Sequence, residues 1–114
     1  MVLPYISWPL GFDVNPSKLT RYLLDPNGKA PGKAKFFLAH GFDAVRWQIL
    51  GDQLFGHTTI ANFVGIRVVP WGVNCVFQGE ISTPRGTTPC IVSVWHLPAS
   101  ALDGIATLTT AYPC

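Results

Sequence analysis

The chain is short of charge and shorter still of carboxylate. Only 12% of its 114 residues are Asp, Glu, Lys or Arg, and Glu80 is the single glutamate. The aspartates fall mainly beside proline, glycine or helix starts, where they serve turns and caps. The sequence therefore argues against a paired-carboxylate acid/base machine of the glycosidase kind. No glycine-rich phosphate loop is present, and Ser7, Ser17, Ser82, Ser93 and Ser100 lack a nucleophile-elbow motif. His40, His57 and His96 are far apart without neighbouring carboxylates, so they make no zinc signature, and neither metal nor cofactor is expected. No apolar run reaches the roughly eighteen residues of a membrane span, and Met1 is not followed by a basic, then apolar, leader.

Cysteine is scarce as well. Cys75, Cys90 and Cys114 show no short metal-type spacing. Their number is odd, so the economical reading is reduced thiols in a cytoplasmic protein, with a cross-strand Cys75–Cys90 pair as the alternative. A chain of this length buries enough surface to fold without staples. Its low charge predicts an apolar patch that a partner or a second copy covers.

The cations that are present are not spread evenly. Between positions 18 and 35 lie Lys18, Arg21, Lys29, Lys33 and Lys35, opposed only by Asp25. From position 58 onward Arg67 and Arg85 balance Glu80 and Asp103. A basic stripe on a neutral body is a weak phosphate-binding footprint, and a solvated helix face explains it equally well.

Periodicity divides the chain. Residues 1–12 are apolar but broken by Pro4, Pro9 and Gly11, which predicts an extended arm ahead of a single domain over 13–114. Asn15-Pro16-Ser17 opens a helix that Asp25-Pro26-Asn27-Gly28 stops near Leu24. A second helix is predicted over 32–40, with Gly41 as its stop, and a third over 44–55 behind an Asp43 cap. From Asn62 the period becomes two, predicting strands over 63–69, 72–81, 90–96 and 105–112 with short links. The expected fold is α+β: N-terminal helices packed on a four-stranded antiparallel meander.

Within that frame a few residues can carry chemistry. His57 follows the third helix, where the negative end of the helix dipole favours the imidazolium and raises the pKa, so it is the candidate general base. His40 ends the second helix in the same way and is its rival, with plain capping of carbonyls the bland reading of both. Lys33 and Lys35 stand near a helix start and suit a phosphate clamp, and Arg85 is presented by the turn Thr83-Pro84-Arg85-Gly86. Thr110 and Tyr112 share one face of the last strand and offer hydroxyls, although both are ordinary strand formers.

Lys18-Leu-Thr-Arg-Tyr-Leu-Leu-Asp-Pro26, Gly32-Lys-Ala-Lys-Phe-Phe37, the Trp47–Leu50–Leu54–His57 spacing, Thr83-Pro-Arg-Gly86, Val92-Ser-Val-Trp95 and Leu108-Thr-Thr-Ala-Tyr-Pro113 together resemble a small bacterial domain family. Such domains occur alone beside small antitoxins or as C-terminal tips of polymorphic toxins. Their architecture is similar to the barnase–EndoU–colicin–RelE class of metal-independent ribonucleases. The resemblance implies a toxin-type endoribonuclease that cleaves RNA through its 2′-hydroxyl, needs no cofactor and pairs with an antitoxin or immunity protein. In that reading His57 is the base, Lys33 stabilises phosphoryl charge, Thr110 and Tyr112 orient the substrate, and Lys35, Arg85 and Arg67 bind it. The class places a cation on its sheet face. Here only Arg67 lies within a strand, and its parity with Phe63 and Val69 predicts burial at an edge. The rival reading is a non-enzymatic protein-binding module.

Overall fold

A computed structural model describes residues 8–114. Its centre is a five-stranded sheet of order β1-β5-β4-β3-β2, built from β1 (Gly11–Asp13), β2 (Phe63–Val69), β3 (Gly72–Glu80), β4 (Cys90–Pro98) and β5 (Ile105–Pro113). Strands β2 to β5 form the expected antiparallel meander. The difference lies at the front. Gly11–Asp13, expected partly in the arm, adds a fifth strand parallel to β5, in register Gly11 with Ile105 and Asp13 with Thr107, so the sheet is mixed. Three residues give too short a run for alternation to reveal. The arm before Trp8 lies outside the described residues.

Helix α1 opens as one α turn over Pro16–Lys18, where the Asn15 side chain accepts from Ser17 N–H at 3.0 Å. It continues as a π turn over Leu19–Leu23, closed by the Leu24 N–H donating to the Leu19 carbonyl at 2.8 Å. Helix α2 spans Pro31–Ala39 and α3 spans Trp47–Gly56. α3 starts later than the Asp43 cap predicted. The Asp43 carboxylate accepts from Arg46 N–H at 2.8 Å and pairs with its guanidinium at 3.1 Å, which holds a separate turn ahead of the helix.

All three helices lie on one face of the sheet. Leu19, Leu23, Phe37, Leu50 and Leu54 meet Phe77, Ile91, Trp95, Leu97 and Ala111 in one core. Phe12 packs edge-to-face on Phe77 and Trp95 and ties β1 into it. After α2, Gly41 takes φ 95°, and a side chain there would meet Arg85 Cγ at 2.9 Å. This glycine therefore lets the 83–87 turn dock beside His40.

A disulfide joins Cys90 to Cys114 and Cys75 is buried and free, which corrects both expectations for the cysteines. The pair forms because antiparallel β4 and β5 bring the start of one against the end of the other, Ile91 opposite Pro113. The cysteine argument for a reducing compartment therefore does not hold. No helix of the described residues is long and apolar enough to cross a membrane.

Candidate functional site

His57 is where the structure departs furthest from the sequence reading. Its side chain is 2% exposed, enclosed between α3 and the helix-facing side of the sheet. Nε2 lies 3.0 Å from the Gly79 carbonyl, an acceptor only, so Nε2 carries the proton and donates. Nδ1 is then the acceptor, and Ser93 Oγ donates to it at 2.7 Å. Ser93 Oγ in turn accepts from Trp95 Nε1 at 2.9 Å. Gly79 permits this, since any side chain there would collide with Asn62, whose amide donates to the His57 carbonyl at 3.1 Å. Burial pushes the imidazole below its ordinary pKa and outweighs the backbone hydrogen bonds that favour its charged form. The sequence expectation of a raised value is corrected: desolvation overrides the helix dipole.

The rival histidine is also engaged. His40 Nδ1 is 2.7 Å from Thr87 Oγ1, and Arg85 N–H donates to the His40 carbonyl at 3.4 Å. Arg85 and His40 thus sit at the C-terminal end of α2, roughly 10 Å along the axis from Lys33. Lys35 is exposed on another side of α2. These three do not gather with Lys33.

Lys33, Thr110 and Tyr112 do. Lys33 Nζ donates to Thr110 Oγ1 at 2.8 Å and to the Tyr22 hydroxyl at 3.1 Å, and the two hydroxyls are 3.0 Å apart. The ammonium also lies 5.6 Å from the centre of the Tyr22 ring and 5.5 Å from that of Tyr112. The residue that sequence reasoning missed is Tyr22. Burial raises its pKa, but the Thr110 hydrogen bond, then the hydrogen bond and charge of Lys33, lower it further, so the phenol ends below its usual value. The available signal was its spacing: Lys18, Arg21 and Tyr22 stand at i, i+3 and i+4 on one helix face, opposite buried Leu19 and Leu23.

Beside this triangle opens a cleft of about 630 Å³ lined by Lys18, Arg21, Tyr22, Asn27, Lys29 and Thr109, with no carboxylate in its wall. Among the described residues the only ion pair is Arg46–Asp43, so the cations of the cleft have no protein counter-charge. The π turn that carries Arg21 and Tyr22 is a feature often found at functional sites.

A second cleft of about 460 Å³ shares Lys18 and Thr109 with the first and continues to Trp71, Asn74, His96 and Asp13. Arg67 is near it. A bulge between Phe63 and Gly65 resets the parity of β2, so Arg67 stands opposite Asn74, whereas Phe63 faces Phe77 in the core. Arg67 is exposed, not buried as the alternation predicted. No group of three or more His, Cys, Asp or Glu side chains clusters in metal-binding fashion among the described residues.

The model of the family described as domain of unknown function DUF6883 matches residues 11–114. The chain belongs to that family. Among curated proteins no match is found. Among solved structures, the fold is similar to a chain of the contact-dependent growth inhibition toxin–immunity protein complex from Klebsiella pneumoniae 342. The TM-score is 0.71 at 17% identity, over 89% of this chain and 98% of that one. At that identity the likeness concerns the fold.

Proposed function

We propose that this DUF6883 domain is the toxin-type half of a toxin–immunity pair and cleaves RNA without a metal. The observation that carries the reading is the half-buried triangle of Lys33, Tyr22 and Thr110, which adjoins through Tyr22 a cation-lined cleft without carboxylates. Such a cleft fits a polyphosphate backbone, and the chain offers the charge that a phosphoryl transition state needs. The fold relative belongs to a toxin–immunity complex, which agrees with the reading.

The ribose 2′-oxygen is an intrinsic nucleophile, so no protein nucleophile is required. Tyr22, whose deprotonation the Lys33 ammonium favours, takes the 2′-hydroxyl proton once ionised. The 2′-oxygen bonds to phosphorus, the P–O5′ bond breaks, and solvent protonates the departing 5′-oxygen. Lys33 and Thr110 hold the non-bridging oxygens while charge builds on them. Tyr112 backs the ammonium with its ring. His57 takes no part, because both its ring nitrogens are engaged inside the core.

Incubation with RNA in EDTA tests this. The expected products end in 2′,3′-cyclic phosphate, and Tyr22→Phe lowers the rate by about 10²-fold or more. RNA left intact by folded protein refutes the enzyme.

One observation favours a protein-binding role as a second reading. β2 is an edge strand, and Phe63, Val64, Ile66 and Val68 along it are all exposed. An unpaired apolar edge invites strand addition, and an immunity-type protein that supplies a strand is the partner such an edge suits. Val68→Lys would then weaken binding of a co-expressed partner encoded alongside this chain while sparing catalysis. Unchanged partner affinity counts against this edge.

A further inference from the structure

The second cleft is built differently from the first. Its floor is a row across the outer face of the sheet: Arg67 opposite Asn74, Asn74 opposite His96, and His96 opposite Thr107. His96 Nδ1 lies 2.9 Å from Asn74 Oδ1. That oxygen can only accept, so Nδ1 carries the proton and, in the tautomer this fixes, Nε2 is the acceptor. Asn74 keeps its amide N–H donors. One donor and one acceptor thus stand side by side at the base of the cleft. Trp71, 67% exposed, supplies a broad π face at its edge.

Charge distinguishes the two clefts. The Asp13 carboxylate lines the second and opposes a phosphate there, whereas the first has none. Cations flank the second cleft instead: Lys18 at the end shared with the first, Arg67 beyond Asn74. Each nucleobase presents an adjacent donor and acceptor on its pairing edge and a flat face for stacking. A hydrogen-bonding, aromatic slot between two cationic margins matches one base between two backbone phosphates.

We infer that the Trp71–Asn74–His96 cleft is a nucleobase subsite, with the base stacked on Trp71 and hydrogen-bonded to Asn74 and His96. The inference rests on the reading of the neighbouring cleft as a phosphate-binding groove and says where the adjoining nucleotide goes. Asp13 accepts from an exocyclic amine or a ribose hydroxyl in this arrangement. Because bases differ in the order of donor and acceptor but all stack, the subsite selects single-stranded nucleic acid more strongly than it selects sequence.

The test compares two uncleavable ligands: a single-stranded 2′-deoxy hexamer of mixed sequence, and an abasic hexamer with the same phosphates. Affinities are measured for the unsubstituted protein, Trp71→Ala and Asn74→Ala. Trp71 is largely exposed, so its replacement leaves the fold standing, which a melting curve checks. The expected result is about 10-fold tighter binding of the base-bearing hexamer. That preference should vanish in Trp71→Ala and shrink in Asn74→Ala, with abasic affinity unchanged in both. Equal binding of the two hexamers by unsubstituted protein overturns the subsite and leaves the phosphate groove standing. A preference that survives both substitutions also overturns it. Failure to bind either hexamer overturns the groove and the subsite together.

Discussion

Two polar clusters, each formed where a helix meets the sheet, end in opposite states. On the helix-facing side, Trp95, Ser93 and His57 form a chain whose every donor meets an acceptor, sealed from water and neutral. Where α1 and α2 meet β5, Tyr22, Thr110 and Lys33 form a half-buried triangle that keeps a positive charge and adjoins a cleft through Tyr22. The first is stable because nothing is left for a ligand to supply. The second lacks a counter-ion, and that lack makes it a candidate for function.

The largest expected effect on stability is at His57. Its replacement by Ala strands Ser93, the Gly79 carbonyl and a cavity in the core, and the expected loss is roughly 3–5 kcal/mol of stability in denaturant unfolding. A loss under 1 kcal/mol would show that the cluster is not sealed. Cys90→Ser probes the end of β5, the strand that carries Thr110 and Tyr112. Opening a cross-link over a sequence separation of 24 residues costs about 3 kcal/mol in oxidised protein. If reduction leaves the denaturation midpoint unmoved, the cross-link contributes nothing to the fold.

Acid sharpens the contrast. The His57 pKa is depressed from 6.5 in the folded chain, so its contribution is fully present above that value. As pH falls below it, the unfolded chain takes up a proton that the folded His57 refuses, and stability declines toward the folded pKa. His57→Gln should flatten that limb of the stability–pH curve, and a curve with the original slope would assign the proton elsewhere. The smallest effect concerns Lys29, at the wall of the open cleft. Lys29→Ala should weaken binding of an oligonucleotide uniformly across sequences and lower the salt slope by about 1. An unchanged slope would place Lys29 off the groove.

How much of this was legible in the sequence follows from distance along the chain. The meander and the three helices were readable because alternation and helical spacing are local. Tyr22 and Thr110 were not readable as a pair, because they are separated by 88 positions and meet only when α1 packs on β5. Lys33, Thr110 and Tyr112 were singled out one by one from residue type, and it is the fold that brings their side chains together. His57 was misjudged because a helix end is visible in sequence while the strands closing over it are not. Arg67 was misjudged because a bulge shifts parity without a sequence mark. The cysteine pair depended on strand register, which spacing does not reveal.

The most direct measurement compares RNA cleavage per folded molecule for Lys33→Met and His57→Gln, each corrected for its folded fraction. Lys33→Met is expected to stay folded and to lose about 10²-fold or more in rate, since it removes the charge from the triangle. His57→Gln, once corrected, keeps nearly the full rate. A His57→Gln protein that is folded yet inactive, beside an active Lys33→Met, would reverse the roles of the two residues.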